Sequence, residues 1–148
     1  MVEFECRTQL PVPVSRAFDL SRSIDLHVAS MADSQERAIA GVTSGLIGAG
    51  DEVTWRAWHF GVPIRMTSRI TEFDPPSSFV DEQVRGPFRS FRHEHEFAAD
   101  PVGGTIMTDR VRFVAPLGPL GRIAEVVLGP YLRRLIEHRN AHIAASAH

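Results

Sequence analysis

The stretch from Phe91 to Phe113 constrains this chain more than any other. It reads FRHEHEF, then AADPVGG, then TIMTDRVRF. Both arms alternate with a period of two, the mark of strands with one face covered and one face wet. In the first arm Phe91, His93, His95 and Phe97 share a face, against Arg92, Glu94 and Glu96. In the second, Met107, Asp109, Val111 and Phe113 share a face, against Thr108, Arg110 and Arg112. Closing the segment between them as a turn makes an antiparallel hairpin whose covered faces coincide. One register then sets His95 beside Met107 and His93 beside Asp109. The pattern predicts two imidazoles and a carboxylate among aromatic and aliphatic side chains, aimed into a pocket.

The same period runs through most of the chain. Val2, Phe4 and Cys6 alternate with Glu3, Glu5 and Arg7 in a first strand, which Pro11 and Pro13 end. Ala17, Phe18 and Leu20, then Ile24, Val28 and Met31, fit two short helices broken around Ser21–Ser23. Strands follow over residues 35–42, 51–60, 63–73 and 79–84, separated by Gly- and Pro-rich turns. In the 51–60 segment Val53, Trp55, Ala57 and His59 share a face; in the next, Ile64, Met66, Ser68 and Ile70 do. Phe79, Asp81 and Gln83 alternate with Val80, Glu82 and Val84 almost evenly, so either set can face inward. With no helix between these strands, the sheet reads as an antiparallel meander.

After Pro116-Leu-Gly-Pro119 the period changes. Leu120, Ile123, Ala124, Val127, Leu128, Tyr131, Leu135 and His138 recur at helical spacing on one stripe, which predicts a long helix covering the sheet. Pro130 falls inside it and predicts a kink. Arg133, Arg134 and Arg139 read as a solvated face, and Asn140 also lies off the stripe.

The totals exclude several classes. A chain of 148 residues fits one domain, residues 1–148, with a core that needs no disulfide; Cys6 is the only cysteine. A net charge of −2 argues against nucleic-acid binding. No apolar run reaches the length of an integral membrane span, and MVEFECRTQ is unlike a secretory signal, so a cytoplasmic location is expected. Oligomeric state is not readable.

The order strand, two short helices, meander and long terminal helix resembles the START-like superfamily, whose members include birch-pollen-allergen-like proteins, polyketide cyclase/dehydratases and lipid-transfer domains. The runs ITEFDPPSSFVDEQVRGPFRSFRHEHEF (residues 70–97) and GGTIMTDRVRFVAPLGPLG (residues 103–121) look like its uncharacterised SRPBCC ligand-binding branch. The resemblance implies an α+β helix-grip fold, in which a curved antiparallel sheet of about seven strands wraps on the C-terminal helix. It implies a cavity between sheet and helix, and no particular reaction.

His93 and His95 are then candidate polar anchors or proton carriers, with two satisfied structural histidines as the plainer alternative. Asp109, the one acid on an apolar face, needs a partner if buried, and His93 is the nearest candidate. If Asp81 faces inward, it joins His93 from the other side. His-x-His with a carboxylate is also a facial-triad ligand set. Glu96 falls on the opposite face, however, and the long terminal helix is unlike a cupin barrel, so neither metal nor other cofactor is expected. Trp55, His59, Phe91, Phe97, Met107, Val111 and Phe113 from the strands, with Leu128, Tyr131 and Leu135 from the helix, are candidates for the remaining wall, or for plain core. A buried Tyr131 hydroxyl could meet a ligand oxygen. Three readings of function follow. One is a carrier or sensor of a small hydrophobic or amphipathic molecule. Another is a cyclase- or dehydratase-like enzyme using His93, His95 and Asp109. The third is a protein-interaction module, which a solid interior with an exposed apolar patch would favour.

Overall fold

The computed structural model describes residues 1–148. Pro11 and Pro13 stop strand β1 (Val2–Leu10), and Pro13 opens helix α1 (Val14–Ser21). The Ser23 hydroxyl accepts the Leu26 N–H at 3.2 Å and so starts helix α2 (Ile24–Ser30). After a short 3₁₀ turn (Ala32–Ser34) come six strands: β2 (Arg37–Gly41), β3 (Glu52–His59), β4 (Val62–Asp74), β5 (Ser78–Arg85), β6 (Ser90–Ala99) and β7 (Thr105–Val114). Helix α3 (Pro119–Ser146) ends the chain and runs unbroken through Pro130.

All seven strands form one antiparallel sheet in the order β1-β7-β6-β5-β4-β3-β2. Its outer face carries the charged members of each alternation, tied across strands by pairs such as Arg110–Glu5 (3.0 Å), Arg92–Glu72 (2.6 Å) and Arg69–Glu52. These pairs keep the outer face solvated and set register more than they add stability. In the β6–β7 hairpin the register differs from the expected one by two residues: His93 pairs with Val111, His95 with Asp109 and Phe97 with Met107. Gly103 and Gly104 both take positive φ and close a loop over residues 100–104, which moves the pairing. A two-residue slip preserves which face each side chain occupies. At Gly104 a Cβ would sit 2.3 Å from the Leu10 carbonyl oxygen, so only glycine lets this loop lie on the end of β1.

The main core gathers at one end of the sheet, around Phe18 of α1. Its ring lies 5.5 Å from each of Phe73, Phe79 and Phe97. Met107 and Ile143 complete that cluster, while Phe91, Val111 and Phe113 form a smaller one towards the other end. Helix α1 packs on β6 and β7, and α3 packs on β1 and α2. Over β3 to β5 the helices cover only part of the concave face: Phe18 of α1 meets Phe73 and Phe79, and the His27 ring of α2 lies 4.3 Å from that of Trp55.

Helix α3 departs from its expected stripe in two ways. Leu120, Ile123, Val127 and His138 are exposed rather than covering the sheet, whereas Arg139 and Asn140 are buried. The reason is how the helix is turned. Gly121, Ala124, Leu128, Tyr131, Leu135, Arg139 and Ile143 share the inward face, and positions 120, 123, 127 and 138 fall to its outer side.

Candidate functional site

A cavity of about 390 Å³ lies between the open part of the sheet and α3. Of its 33 lining residues 20 are hydrophobic, which suits a largely apolar occupant. Trp55 and His59 from β3, Asp81 from β5, Phe91, His93 and His95 from β6, and Leu128, Tyr131 and Leu135 from α3 all reach it. Phe97, Met107, Val111 and Phe113 do not; they are core, because α1 and α3 sit directly over β6, β7 and β1 at those positions. Asp109 is also off the wall, sealed behind the histidines. On β5 the set Phe79 and Asp81 faces inward, and Val84 is exposed.

The polar centre is a stack. The Phe79 and His95 ring centroids are 4.1 Å apart at 13°, and those of His95 and His93 are 3.8 Å apart at 22°. His93 Nε2 bonds Asp109 Oδ1 at 2.7 Å, a diagonal contact across the β6–β7 pair. His95 Nε2 bonds Asp81 Oδ2 at 2.6 Å, so Asp81 serves His95 and not His93 as its hydrogen-bond partner. Asp109 is wholly buried and held from α3 as well: Asn140 Nδ2 donates to its Oδ2 at 2.7 Å, and Arg139 Nη1 lies 3.5 Å from Oδ1. Arg139 Nη2 also donates to the Ser21 carbonyl and hydroxyl oxygens at 3.1 and 3.0 Å. A single buried cluster thus ties β5, β6 and β7 to α1 and α3.

Charge decides the protonation states. Burial opposes ionisation of Asp109, but its bonds to His93 and His95 and the Arg139 charge outweigh that and hold the carboxyl well below its ordinary value of 3.8. Burial likewise opposes ionisation of Asp81, and the His95 bond overcomes it, lowering its pKa. His95 is buried too, yet the two aspartates raise its pKa above the ordinary 6.5. His93 goes the other way, lowered first by burial and then by the charge on His95. His95 Nδ1 supports this assignment. It has no hydrogen-bond partner, and the carboxylate oxygen Asp109 Oδ1 lies 3.4 Å away. A neutral ring donating from Nε2 would turn a lone pair on that carboxylate; a protonated ring turns an N–H towards it. These directions favour Asp81 and Asp109 as anions, His95 as the more readily protonated ring and His93 as the neutral one. His93 donates its Nε2–H to Asp109, which leaves Nδ1 as an unprotonated acceptor.

These shifts predict a stability profile. His95 contributes stability below pH 6.5 that is lost as pH rises through its raised folded value. His93, kept neutral, costs stability as pH falls below 6.5, and His59, lowered by burial, does the same. The aspartates contribute above 3.8 and lose that contribution as pH falls through their depressed values. Thermal unfolding followed against pH should show greatest stability near pH 6.5, and His93→Gln should reduce the decline just below it. Superimposable wild-type and variant profiles would contradict the neutral assignment of His93.

Asp81, His93 and His95 each bring one potential ligand atom within 4.8 Å of the others. Two imidazoles stacked at 22° point their lone pairs along nearly parallel planes, and Arg139 already supplies a positive charge. As arranged, the two rings do not converge on one ion.

A second polar group lines the same cavity: His27 Nε2 bonds Glu36 Oε1 at 2.6 Å, and His59 Nδ1 bonds the Tyr131 hydroxyl at 2.6 Å. The Tyr131 oxygen thus finds its partner within the protein. Sequence reasoning missed His27, Glu36, Arg139 and Asn140. For the last two a signal existed, because Leu128, Leu132, Leu135 and Arg139 are spaced by four, three and four, as are Leu132, Ile136, Asn140 and Ile143 by four, four and three.

A family model described as "Polyketide cyclase / dehydrase and lipid transport" matches residues 1–148. The chain belongs to that family. Among solved structures, this family member resembles the Zhui aromatase/cyclase from Streptomyces sp. R1128 (TM-score 0.78, 12% identity, covering 98% of this chain and 92% of that one). It also resembles TTHA0849 from Thermus thermophilus (TM-score 0.75, 14% identity, 99% and 100% covered) and major latex-like protein 151 from Panax ginseng (TM-score 0.61, 14% identity, 95% and 96% covered). At these identities the likeness is one of fold: the curved seven-stranded sheet gripping a long C-terminal helix. No curated protein matches the chain in sequence. No helix is long and apolar enough to cross a membrane.

Proposed function

We propose that this protein of the polyketide cyclase/dehydrase and lipid-transport family binds a small amphipathic molecule in the cavity, as a carrier or sensor. The observation that carries this reading is a charged cluster on the wall of a hollow most of whose lining is hydrophobic. The Asp81 side chain is 21% exposed where Asp109 is fully buried, so one carboxylate of the cluster is open to an occupant. Asp81 and the free Nδ1 of His93 are both acceptors. They select a ligand that presents a hydroxyl or another N–H or O–H donor, with its apolar body against Trp55, Phe91 and Leu128.

A second reading rests on the 2.7 Å His93–Asp109 bond, because a carboxylate that fixes one ring nitrogen leaves the other as a general base. In that reading the protein is a cyclase- or dehydratase-like enzyme acting on a poly-β-keto or related substrate. Native mass spectrometry of freshly purified protein should show a small molecule travelling with the chain, and identify it. His93→Ala then separates the readings. A binder loses affinity by a modest factor, whereas general-base chemistry loses about 10²–10⁴ in rate. A chain that carries nothing, and that no hydroxylated amphiphile protects against thermal unfolding, would remove the ligand reading.

A further inference from the structure

The first half of α3 leaves an apolar surface uncovered. Leu117, Leu120, Ile123 and Val126 are between 66% and 75% exposed, with Val127 at 58% and Phe60 at 64%. Positions 120, 123, 126 and 127 fall within about 120° of one another around the helix, so they form a single stripe. Phe60 sits at the β3–β4 tip and Leu117 in the β7–α3 loop. Antiparallel pairing brings both to the same end of the sheet as the β5–β6 loop. Phe60, Phe88 and Leu117 line the cavity as well, so the uncovered surface is continuous with its rim.

The charges around this rim are one-sided. Arg85, Arg89, Arg122 and Arg134 are exposed, and none of them has an acidic partner within 4.0 Å. Glu125, which turns away from the stripe, is already paired with the amino group of Met1 at 3.0 Å, and Glu137 with Arg133 at 3.5 Å. Arg122 flanks the apolar stripe. Arg134, seven residues after Val127, continues its line along the helix, where the neighbouring Glu137 is taken up by Arg133. On the outer sheet face, by contrast, the arginines of β6 and β7 are matched by glutamates.

We propose that this rim docks peripherally on an anionic lipid surface. The apolar stripe enters the boundary between headgroups and acyl chains, and the four arginines meet lipid phosphates. A broad apolar strip bordered by unpaired arginines matches that surface in both respects. A second copy of the chain matches it less well, because a two-fold contact sets this patch against itself and Glu125 and Glu137 are already paired, which leaves the arginines without acids to meet. The docking does not depend on which molecule the cavity holds.

Flotation of the full chain with vesicles tests it, using phosphatidylcholine alone and phosphatidylcholine mixed with phosphatidylglycerol. Binding to the anionic vesicles is expected, weakened by salt and about thirtyfold weaker in Arg89→Gln/Arg122→Gln. Ile123→Glu/Val126→Glu should weaken it by at least about tenfold. All four positions are exposed, so unchanged circular dichroism and Tm are expected for both variants. Failure to float with anionic vesicles, equal binding to neutral ones, or variants that bind like the wild type would each overturn the proposal. So would a dimer in solution that Ile123→Glu dissociates, since a second copy would then cover this face.

Discussion

Asp109→Ala is expected to destabilise the protein by about 3–5 kcal/mol, the usual consequence of removing one partner from a buried ionic cluster. Asp109 is fully buried and accepts from His93 and Asn140 while lying beside His95 and Arg139. Removing it leaves two cationic groups facing each other with only Asp81 to offset them. His95 should respond by losing its proton, so its pKa falls towards or below 6.5. Chemical denaturation measures the first effect, and NMR titration of the His95 ring measures the second. A loss under about 1 kcal/mol, with the His95 titration unmoved, would mean that the cluster is not held together by charge. Asp109→Asn keeps the shape and part of the hydrogen bonding, so its loss should be smaller while the change in His95 persists.

Phe18→Ala should cost about as much, roughly 3–5 kcal/mol, for a different reason. Its ring touches three others at 5.5 Å and is almost fully buried, so truncation opens a cavity that β4, β5 and β6 cannot collapse to fill. The consequence reaches the site, because Phe79 packs against Phe18 on one side and stacks on His95 at 4.1 Å. Phe18→Leu should recover much of the stability. The expected outcome is a lowered denaturation midpoint in Phe18→Ala, together with faster exchange of the His95 side chain. A variant as stable as the wild type would show that α1 is not what fixes β5 beneath the histidines.

These two residues illustrate different degrees of legibility. Phe18 could be placed on an inward helix face from its spacing with Ala17 and Leu20, although its three aromatic partners could not be named. Asp109 was identifiable as an acid needing a partner, and His93 as the nearest one. Its two partners from α3 were not, because Arg139 and Asn140 look like surface residues in any reading that treats arginine as solvated. The wall assignments divide along the same line. Residues of β3, β5 and the middle of α3 reach the hollow; Phe97, Met107, Val111 and Phe113 face the right way but lie under helices.

Periodicity alone determined that this chain is an antiparallel meander closed by a long helix, and which side chains of β1, β3, β4, β6 and β7 look inward; on β5 both sets fitted. Both follow from backbone geometry, since a strand turns every second residue to one face and a helix does not. The pairing of His95 with Asp109, the burial of Arg139, and the exposure of Ile123 and Val126 were decided only when the elements packed. A period specifies a direction, whereas a partner depends on loop length and on where along the sheet the helix comes to rest.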